Sequence, residues 1–283
     1  MAKYITLKER IDEMHLLTEE SSRIDEMSLH YIADKNVFKF DFENDLEGGV
    51  IELCKPELYT NKFDKYVYKF GYKFNAVDKP VQKKFIDQLK RKTEKTWSDK
   101  ENYNFLTKPL ALLNEEIGFS KFDTLIYPVS TKSPFVREIV DYIGRFIPRS
   151  KKFYTFELFK NNVHNIKFDY EMFYEKNIEK YENNDRRWQI DKKQIEDAIK
   201  QMINADYFNI GKQKFNFRRY FYDFLIFQDE KMKDFMKIEN RKILLIDDIN
   251  TTGSTIDEML RYINSLNDTN EIFIFTIIGK EQN

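Results

Sequence analysis

The clearest apolar pattern lies near the end of the chain, where two runs of apolar residues flank an amphipathic segment. The run Ile-Leu-Leu-Ile at 243–246 precedes two acids, and a second run covers 272–278. Between them, apolar residues recur every three to four positions from Ile256 to Leu266, which predicts a helix with one apolar stripe. Strands that are apolar on both faces are typical of a parallel sheet covered by helices.

The same alternation of strand and helix begins at about residue 105. Residues 124–129 form a short apolar run, and residues 135–147 carry apolar side chains at helical spacing up to Pro148. Residues 152–159 then alternate with period two, as a strand does. Together with the C-terminal pattern, this order predicts the fold class: α/β, with a doubly wound, mainly parallel sheet flanked by helices and joined by right-handed crossovers.

Two further segments surround this predicted core. Residues 1–110 combine period-two signals at 37–42 and 66–70 with helix signals, which predicts an N-terminal α+β extension. The core is expected over 111–283, interrupted by a long insertion at about 160–240. Helices are predicted at 3–17, from Pro80 onward and near 192–205, and an aromatic strand-like segment at 220–227.

Composition narrows the classes of function. The chain has 283 residues and a net charge of −1, so no strongly charged field favours a nucleic-acid or membrane-surface partner. Cys54 is the only cysteine, which excludes an internal disulfide and indicates a reducing compartment. No window approaches the ~20 apolar residues of a membrane span, and residues 1–10 lack the apolar stretch of a signal peptide. We therefore expect a soluble, cytoplasmic protein.

The two acids and the loop that follows them suggest a ligand site. Ligands of doubly wound sheets bind at the carboxyl ends of strands, where Asp247 and Asp248 are expected. Adjacent carboxylates there suit ribose hydroxyls and Mg²⁺. The loop at 250–255 combines a glycine, several hydroxyls and a helix N-terminus, which together suit a phosphate. Turn formation by the acids and simple capping by the loop are the alternative, but the continuous spacing favours a ligand site.

Residues 243–255 resemble the signature that binds 5-phosphoribosyl-1-diphosphate (PRPP) in type I phosphoribosyltransferases. The shared pattern is four apolar residues, two acids, two variable positions and Thr-Thr-Gly-x-Thr. The resemblance implies the family's fold and a Mg²⁺-dependent transfer of the 5-phosphoribosyl group to a nitrogen nucleophile, with release of pyrophosphate. It implies that Asp247 and Asp248 are catalytic and hold the ribose hydroxyls, directly or through Mg²⁺. The other motif residues implied to bind PRPP are Asn250, Thr251, Thr252, Gly253, Ser254 and Thr255.

The resemblance also implies two loops from elsewhere in the chain. In the family, the loop after the first core strand grips pyrophosphate, and by order this loop holds Ser130, Thr131 and Lys132. Lys132 would stabilise the leaving group, although it could equally be an exposed lysine in a turn. A mobile loop that closes over the site would come from 160–219. Its basic candidates are Lys160, Arg186, Arg187, Arg218 and Arg219.

The acceptor of the reaction stays open. Hypoxanthine-guanine enzymes resemble Glu-Asp-x-x-Asp-Thr-Gly, and this chain has Thr251 in place of the last acid, which argues against a 6-oxopurine. The residues after Thr255 suffice for one helix and one strand, so an acceptor-binding hood is expected from residues 1–110 or from the insertion. The alternatives are a non-catalytic PRPP-sensing regulator and, with less support, a ribose-phosphate pyrophosphokinase-like enzyme. The sequence is compatible with a homodimer.

Overall fold

The structure is a computed structural model that describes most of the chain. The described residues are 28–32, 37–41, 51–53, 58–63, 65–74, 79–89, 99–129, 135–148, 150–182, 184–250 and 252–279. The strands are Ser28–Ile32 (β1), Val37–Asp41 (β2), Ile51–Leu53 (β3), Tyr59–Phe63 (β4), Tyr66–Phe74 (β5), Thr124–Pro128 (β6), Tyr154–Lys160 (β7), Lys167–Phe168 (β8), Phe221–Tyr222 (β9), Leu225–Ile226 (β10), Lys242–Ile249 (β11) and Glu271–Gly279 (β12). The helices are Lys79–Leu89 (α1), Asp99–Glu116 (α2), Phe135–Phe146 (α3), Tyr170–Lys176 (α4), Ile178–Tyr181 (α5), Asp185–Asn204 (α6), Asp229–Phe235 (α7) and Ser254–Leu266 (α8).

One large sheet connects both ends of the described chain. Its strand order is β10-β7-β6-β11-β12-β5-β3-β1-β2, and β4 pairs with β5 outside this path. Within the described residues, β7, β6, β11, β12 and β5 run parallel, and the remaining strands of this sheet pair antiparallel. A separate two-stranded sheet joins β8 to β9. The molecule is therefore an α/β protein with a mostly parallel central sheet.

Both faces of the parallel strands are covered, because successive residues of a strand point to opposite faces. Along β11, Leu244 and Ile246 belong to a core shared with α1, α2 and α3. Ile243 and Leu245 belong to a second core shared with α8 and the insertion. The residues at 243–246 are thus apolar because both faces of the strand are buried, as the sequence suggested.

The order of strands reverses between β6 and β11. The chain passes from β6 through α3 to β7 on one side, and from β11 through α8 to β12 on the other. Since α3 and α8 pack on opposite faces, the two crossovers share one hand, as expected for parallel strands. The carboxyl ends of β6 and β11 therefore meet at the switch point of the sheet, where ligands bind in doubly wound folds.

Strand β5, from the predicted N-terminal extension, lies inside the main sheet. It pairs in parallel with β12, from Phe273 opposite Val67 to Gly279 opposite Lys73. Helix α2 runs across the predicted boundary at 110 and packs on the same sheet. Gly71 is needed there, because a Cβ at this position would lie 2.1 Å from the Cβ of Pro109. The segment before residue 111 thus contributes directly to the core.

The insertion is built largely from aromatic side chains that pack together. Phe173 contacts Tyr181, Trp188, Phe217 and Tyr220, with ring centroids 4.9–6.3 Å apart. This group continues into the core that covers the sheet through residues such as Phe168 and Phe221. The insertion therefore packs onto the sheet rather than forming a separate core.

Most of the predicted elements that fall on described residues are confirmed, although some bounds differ. The confirmed elements are β2, β5, α1, β6, α3, β7, β11, α8 and β12. The helix predicted near 192–205 begins earlier, at Asp185, where Asn184 caps it by accepting from the Arg187 amide. The aromatic segment at 220–227 forms two two-residue strands instead of one, since Asp223 interrupts it with φ 61°. The helix predicted at 3–17 lies outside the described residues.

Candidate functional site

The acid pair belongs to the last residues of β11. We predicted that the strand ends before Asp247, but it continues to Ile249 because Asp247 pairs with Thr276 of β12 and Ile249 pairs with Ile278. Both aspartates are only 6% exposed. They leave opposite faces of the strand, as neighbouring residues do. A ligand that reaches both carboxylates must therefore sit over the carboxyl end of the sheet.

Backbone hydrogen bonds fix one oxygen of each carboxylate. Asp247 Oδ1 accepts from the Asp248 amide at 2.8 Å, and Asp248 Oδ1 accepts from the Ile249 amide at 2.7 Å. Carboxylates have two oxygens and about four acceptor sites. Each side chain is thereby oriented at the end of β11.

The loop after β11 turns into α8 through a left-handed glycine. Gly253 has φ 78° and ψ −8°, a conformation that a residue with a Cβ adopts only with strain. The hydroxyls of Thr252 and Ser254 lie 2.8 Å apart, and the Ser254 amide donates to Thr252 Oγ1 at 3.4 Å. Gly253, at the N-cap position of α8, has no side chain that could cap the helix. The first turn of α8, which includes Thr255, therefore offers amide donors and positive potential to an anion.

Four of the predicted site residues lie outside the described part of the chain: Ser130, Thr131, Lys132 and Thr251. The residues that flank the first three are described. Val129 donates its amide to the Leu158 carbonyl at 2.7 Å, and α3 begins at Phe135. Because β6 and β11 are parallel neighbours in the sheet, the carboxyl end of β6 lies at the same edge as the acid pair.

Sequence reasoning missed Tyr68, which brings β5 into the site. Tyr68 is fully buried, and its hydroxyl lies 2.8 Å from Thr276 Oγ1. Burial raises the pKa of Tyr68 well above its usual range, and the charge of Asp247 acts in the same direction, whereas hydrogen bonds to Thr276 and Asn250 lower it. The phenol therefore keeps its proton at physiological pH. No local signal marks this tyrosine, since its partners are about 200 residues away.

A second group that the sequence did not reveal lies at the ends of β6 and β7. The Tyr127 hydroxyl donates to Glu157 Oε1 at 2.6 Å, and Arg137 in the first turn of α3 donates to the same oxygen at 2.9 Å. Burial raises the pKa of Tyr127 to about 12, with a further contribution from Glu157. This arrangement holds a guanidinium five residues after Lys132.

The structure distributes the five basic candidates of the insertion over different surroundings. Lys160 donates to the Phe208 carbonyl at 3.2 Å, Arg187 pairs with Asp191, and Arg186 lies exposed on α6. Arg218 donates to the carbonyls of Gly211 and Gln213. Arg219 forms an ion pair with the motif helix, with its Nε 3.0 Å from Asp257 Oδ2 in the first turn of α8.

A cavity of about 620 Å³ lies within the insertion. Its walls come from the second half of α6 and from the segment at 207–217, and include Lys212, Lys214 and Phe217. Arg218 holds the wall of this cavity, and the adjacent Arg219 holds the motif helix. Two adjacent arginines thus contact the wall of the cavity and the helix α8 respectively.

No group of three or more His, Cys, Asp or Glu side chains is arranged to hold a metal ion in the described part of the chain. Within the same residues, no helix combines the length and the apolar character needed to cross a bilayer.

Comparisons with known proteins give no family for this chain. No protein-family model matches it, and neither does any curated protein.

Proposed function

We propose that this chain is a Mg²⁺-dependent phosphoribosyltransferase of type I, which moves the 5-phosphoribosyl group of PRPP to a nitrogen nucleophile. One observation carries the proposal. The buried pair Asp247 and Asp248 and the glycine turn at Gly253 occupy the carboxyl end of β11, at the switch point beside β6. This is the place where a doubly wound sheet binds ligands, and its groups match the parts of PRPP.

The described groups suit the sugar and its 5-phosphate. Asp247 and Asp248 accept hydrogen bonds from the two ribose hydroxyls, and the first amides of α8 receive the 5-phosphate with the hydroxyls of Thr252 and Ser254. Contacts to the ribose hydroxyls and to the 5-phosphate together fix the orientation of the sugar. C1 is thereby held in line for attack, which lowers the entropic part of the activation barrier.

The reaction breaks the bond between C1 and the pyrophosphate oxygen and forms a bond between C1 and nitrogen. The pyrophosphate leaves with the bonding electron pair, and the nitrogen loses a proton after attack. Positive charge develops on the sugar and negative charge on the leaving group. Lys132 and Arg137, which flank the start of α3 in the sequence, supply cations for the leaving group.

Asp247 and Asp248 fit a magnesium ion. Mg²⁺ prefers oxygen ligands, and commonly takes one or two carboxylates while it keeps waters and substrate phosphate oxygens. Two adjacent, buried and oriented carboxylates match this preference. When bound, the ion neutralises charge that develops on pyrophosphate.

Calorimetry with PRPP and Mg²⁺ tests the site. We expect binding by the wild type, and a loss of roughly tenfold or more in affinity for Asp247→Asn with Asp248→Asn, since charge-assisted hydrogen bonds contribute about 1.5–3 kcal/mol each. Asp234→Asn with Asp268→Asn is the matched control, because it removes the same charge from exposed positions. No binding by the wild type, or equal affinity in both double variants, would refute the proposal.

A screen of nucleobases and related amines for PRPP-dependent release of pyrophosphate tests catalysis. Release with one acceptor supports the enzyme. If PRPP binds but no acceptor supports release, the non-catalytic PRPP-sensing regulator becomes the better explanation.

A further inference from the structure

A network of hydrogen bonds beneath the motif loop joins β5 and β12 to the end of β11. The Asn250 amide donates to the Ile278 carbonyl at 2.9 Å, and the Thr276 hydroxyl donates to the same carbonyl at 3.0 Å. The Tyr68 hydroxyl lies 2.8 Å from Thr276 Oγ1, within hydrogen-bond distance. The linked contacts thus run from the Tyr68 hydroxyl through Thr276 and the Ile278 carbonyl to the Asn250 amide.

We propose that Tyr68 is a positioning residue for PRPP, which fixes Asn250 and thereby the loop that binds the 5-phosphate. This inference rests on the proposed function. Asn250 is buried and follows the acid pair by two positions, where the chain leaves β11. Tyr68 belongs to β5 and is far from Asn250 in the sequence. The N-terminal part of the chain thus acts on the site through one phenol.

Tight packing leaves the phenol no other place. A Cβ on Gly279 would lie 2.4 Å from Tyr68 Oη and 2.4 Å from Phe70 Cγ, so the glycine is needed for the hydroxyl to reach Thr276. The rings of Tyr68 and Phe70 stack with centroids 5.3 Å apart. The surrounding β-strands therefore hold the Tyr68 phenol in one position, as a positioning residue requires.

Tyr68→Phe removes the hydroxyl and so deletes the hydrogen bond to Thr276. We expect the affinity for PRPP with Mg²⁺, measured by calorimetry on the full chain, to fall about tenfold. Tyr72→Phe is the matched control, because Tyr72 is equally buried on the same strand. Its hydroxyl donates to the Phe105 carbonyl at 2.9 Å and is not part of the network that contains Thr276. We expect this control to lower the melting temperature similarly and to leave the affinity within twofold. Equal affinity losses in both variants would overturn the proposal.

Substitutions at Thr276 separate the hydrogen bond from packing. Thr276→Ser keeps the hydroxyl and is expected to retain the affinity within twofold, whereas Thr276→Val is expected to lose as much as Tyr68→Phe. The double variant Tyr68→Phe with Thr276→Val should bind no more weakly than either single variant, since both substitutions remove the same hydrogen bond between Tyr68 and Thr276. Additive losses in the double variant would show that the two residues act separately and would contradict the inference.

Hydrogen exchange gives a readout that does not need PRPP. We expect the amides of 250–256 to exchange faster in Tyr68→Phe than in the wild type or in Tyr72→Phe. If the wild type fails to bind PRPP while this exchange pattern holds, the proposed function is wrong and the positioning of the loop by Tyr68 stands. If the exchange of 250–256 is unchanged in Tyr68→Phe, the positioning role is wrong whatever the ligand is.

Discussion

Glu258 is a carboxylate held between the motif helix and the insertion, at 2% exposure. It accepts from the amides of Phe224 and Leu225 and pairs with Arg261, which also contacts Asp223. Burial raises the pKa of Glu258 above its ordinary value, and this effect outweighs the opposing hydrogen bonds and the charge of Arg261. A single side chain therefore couples the attachment of the insertion to pH.

The sign of this coupling gives a prediction. Since the folded chain holds the Glu258 proton more tightly than the unfolded chain, the stabilising contribution is complete below the ordinary pKa of about 4.3 and is lost as pH rises through the raised pKa. We expect the free energy of unfolding of the wild type, minus that of Glu258→Gln, to fall as pH rises above the ordinary pKa of a glutamate. The fall is about 1.4 kcal/mol for each unit by which the pKa is raised.

Urea unfolding at a series of pH values measures this difference. Glu230→Gln, at an exposed position of α7, serves as the control for loss of one negative charge. A difference between wild type and Glu258→Gln that grows with pH would contradict the expected sign.

At the scale of elements, the contact of β5 with α2 depends on Gly71. An alanine Cβ there would meet the Pro109 Cβ at 2.1 Å and the Pro109 Cγ at 2.9 Å. A proline ring cannot rotate away, so α2 must shift from the sheet. We expect Gly71→Ala to lower the free energy of unfolding by about 1–3 kcal/mol, as overpacking of a core does.

Gly144→Ala is the matched substitution on α3. A Cβ at Gly144 meets nothing within 4 Å, and a helical alanine is about 0.5–1 kcal/mol more favourable than glycine. We therefore expect it to stabilise the protein in the same denaturation experiment. If both alanines changed stability in the same direction, the contact with Pro109 would not explain the effect.

These elements also show how far the sequence could predict the structure. The apolar runs and helical stripes gave β6, α3, β11, α8 and β12, because burial on one or both faces leaves a local periodic pattern. The pairing of β5 with β12 leaves no such trace, since Tyr68 lies opposite Ile274 across about 200 residues. The extension of β11 to Ile249 likewise depends on pairing with β12, which a local pattern does not contain.

The candidate site divides in the same way. The acid pair and glycine loop are continuous in sequence, so their spacing was enough to predict them. Tyr68, and the group of Tyr127, Glu157 and Arg137, come together only when strands pair. A tyrosine in a period-two strand signals burial, and nothing local distinguishes a hydroxyl that reaches the site from one that reaches a helix.

At the scale of the whole molecule, the insertion and the sheet share one core. Ile274 of β12 and Phe217 of the insertion belong to the same cluster of buried residues, which also contains residues of α8. A region that cannot bury its apolar surface without the sheet should not fold alone. We therefore expect the chain to lose the insertion and the sheet in one transition.

Trp188 makes this prediction measurable, because it packs against Phe173, Tyr174 and Tyr181 inside the insertion. In a Trp97→Phe background, its fluorescence reports on the insertion, while far-ultraviolet circular dichroism reports on all helices and strands. We expect the two midpoints to coincide in urea. Ile274→Val on the sheet should lower both midpoints together, at a cost of about 0.5–1.5 kcal/mol. A shift of the dichroism midpoint without the fluorescence midpoint would show that the insertion folds as a unit of its own, and its aromatic packing would then have to be sufficient without β12.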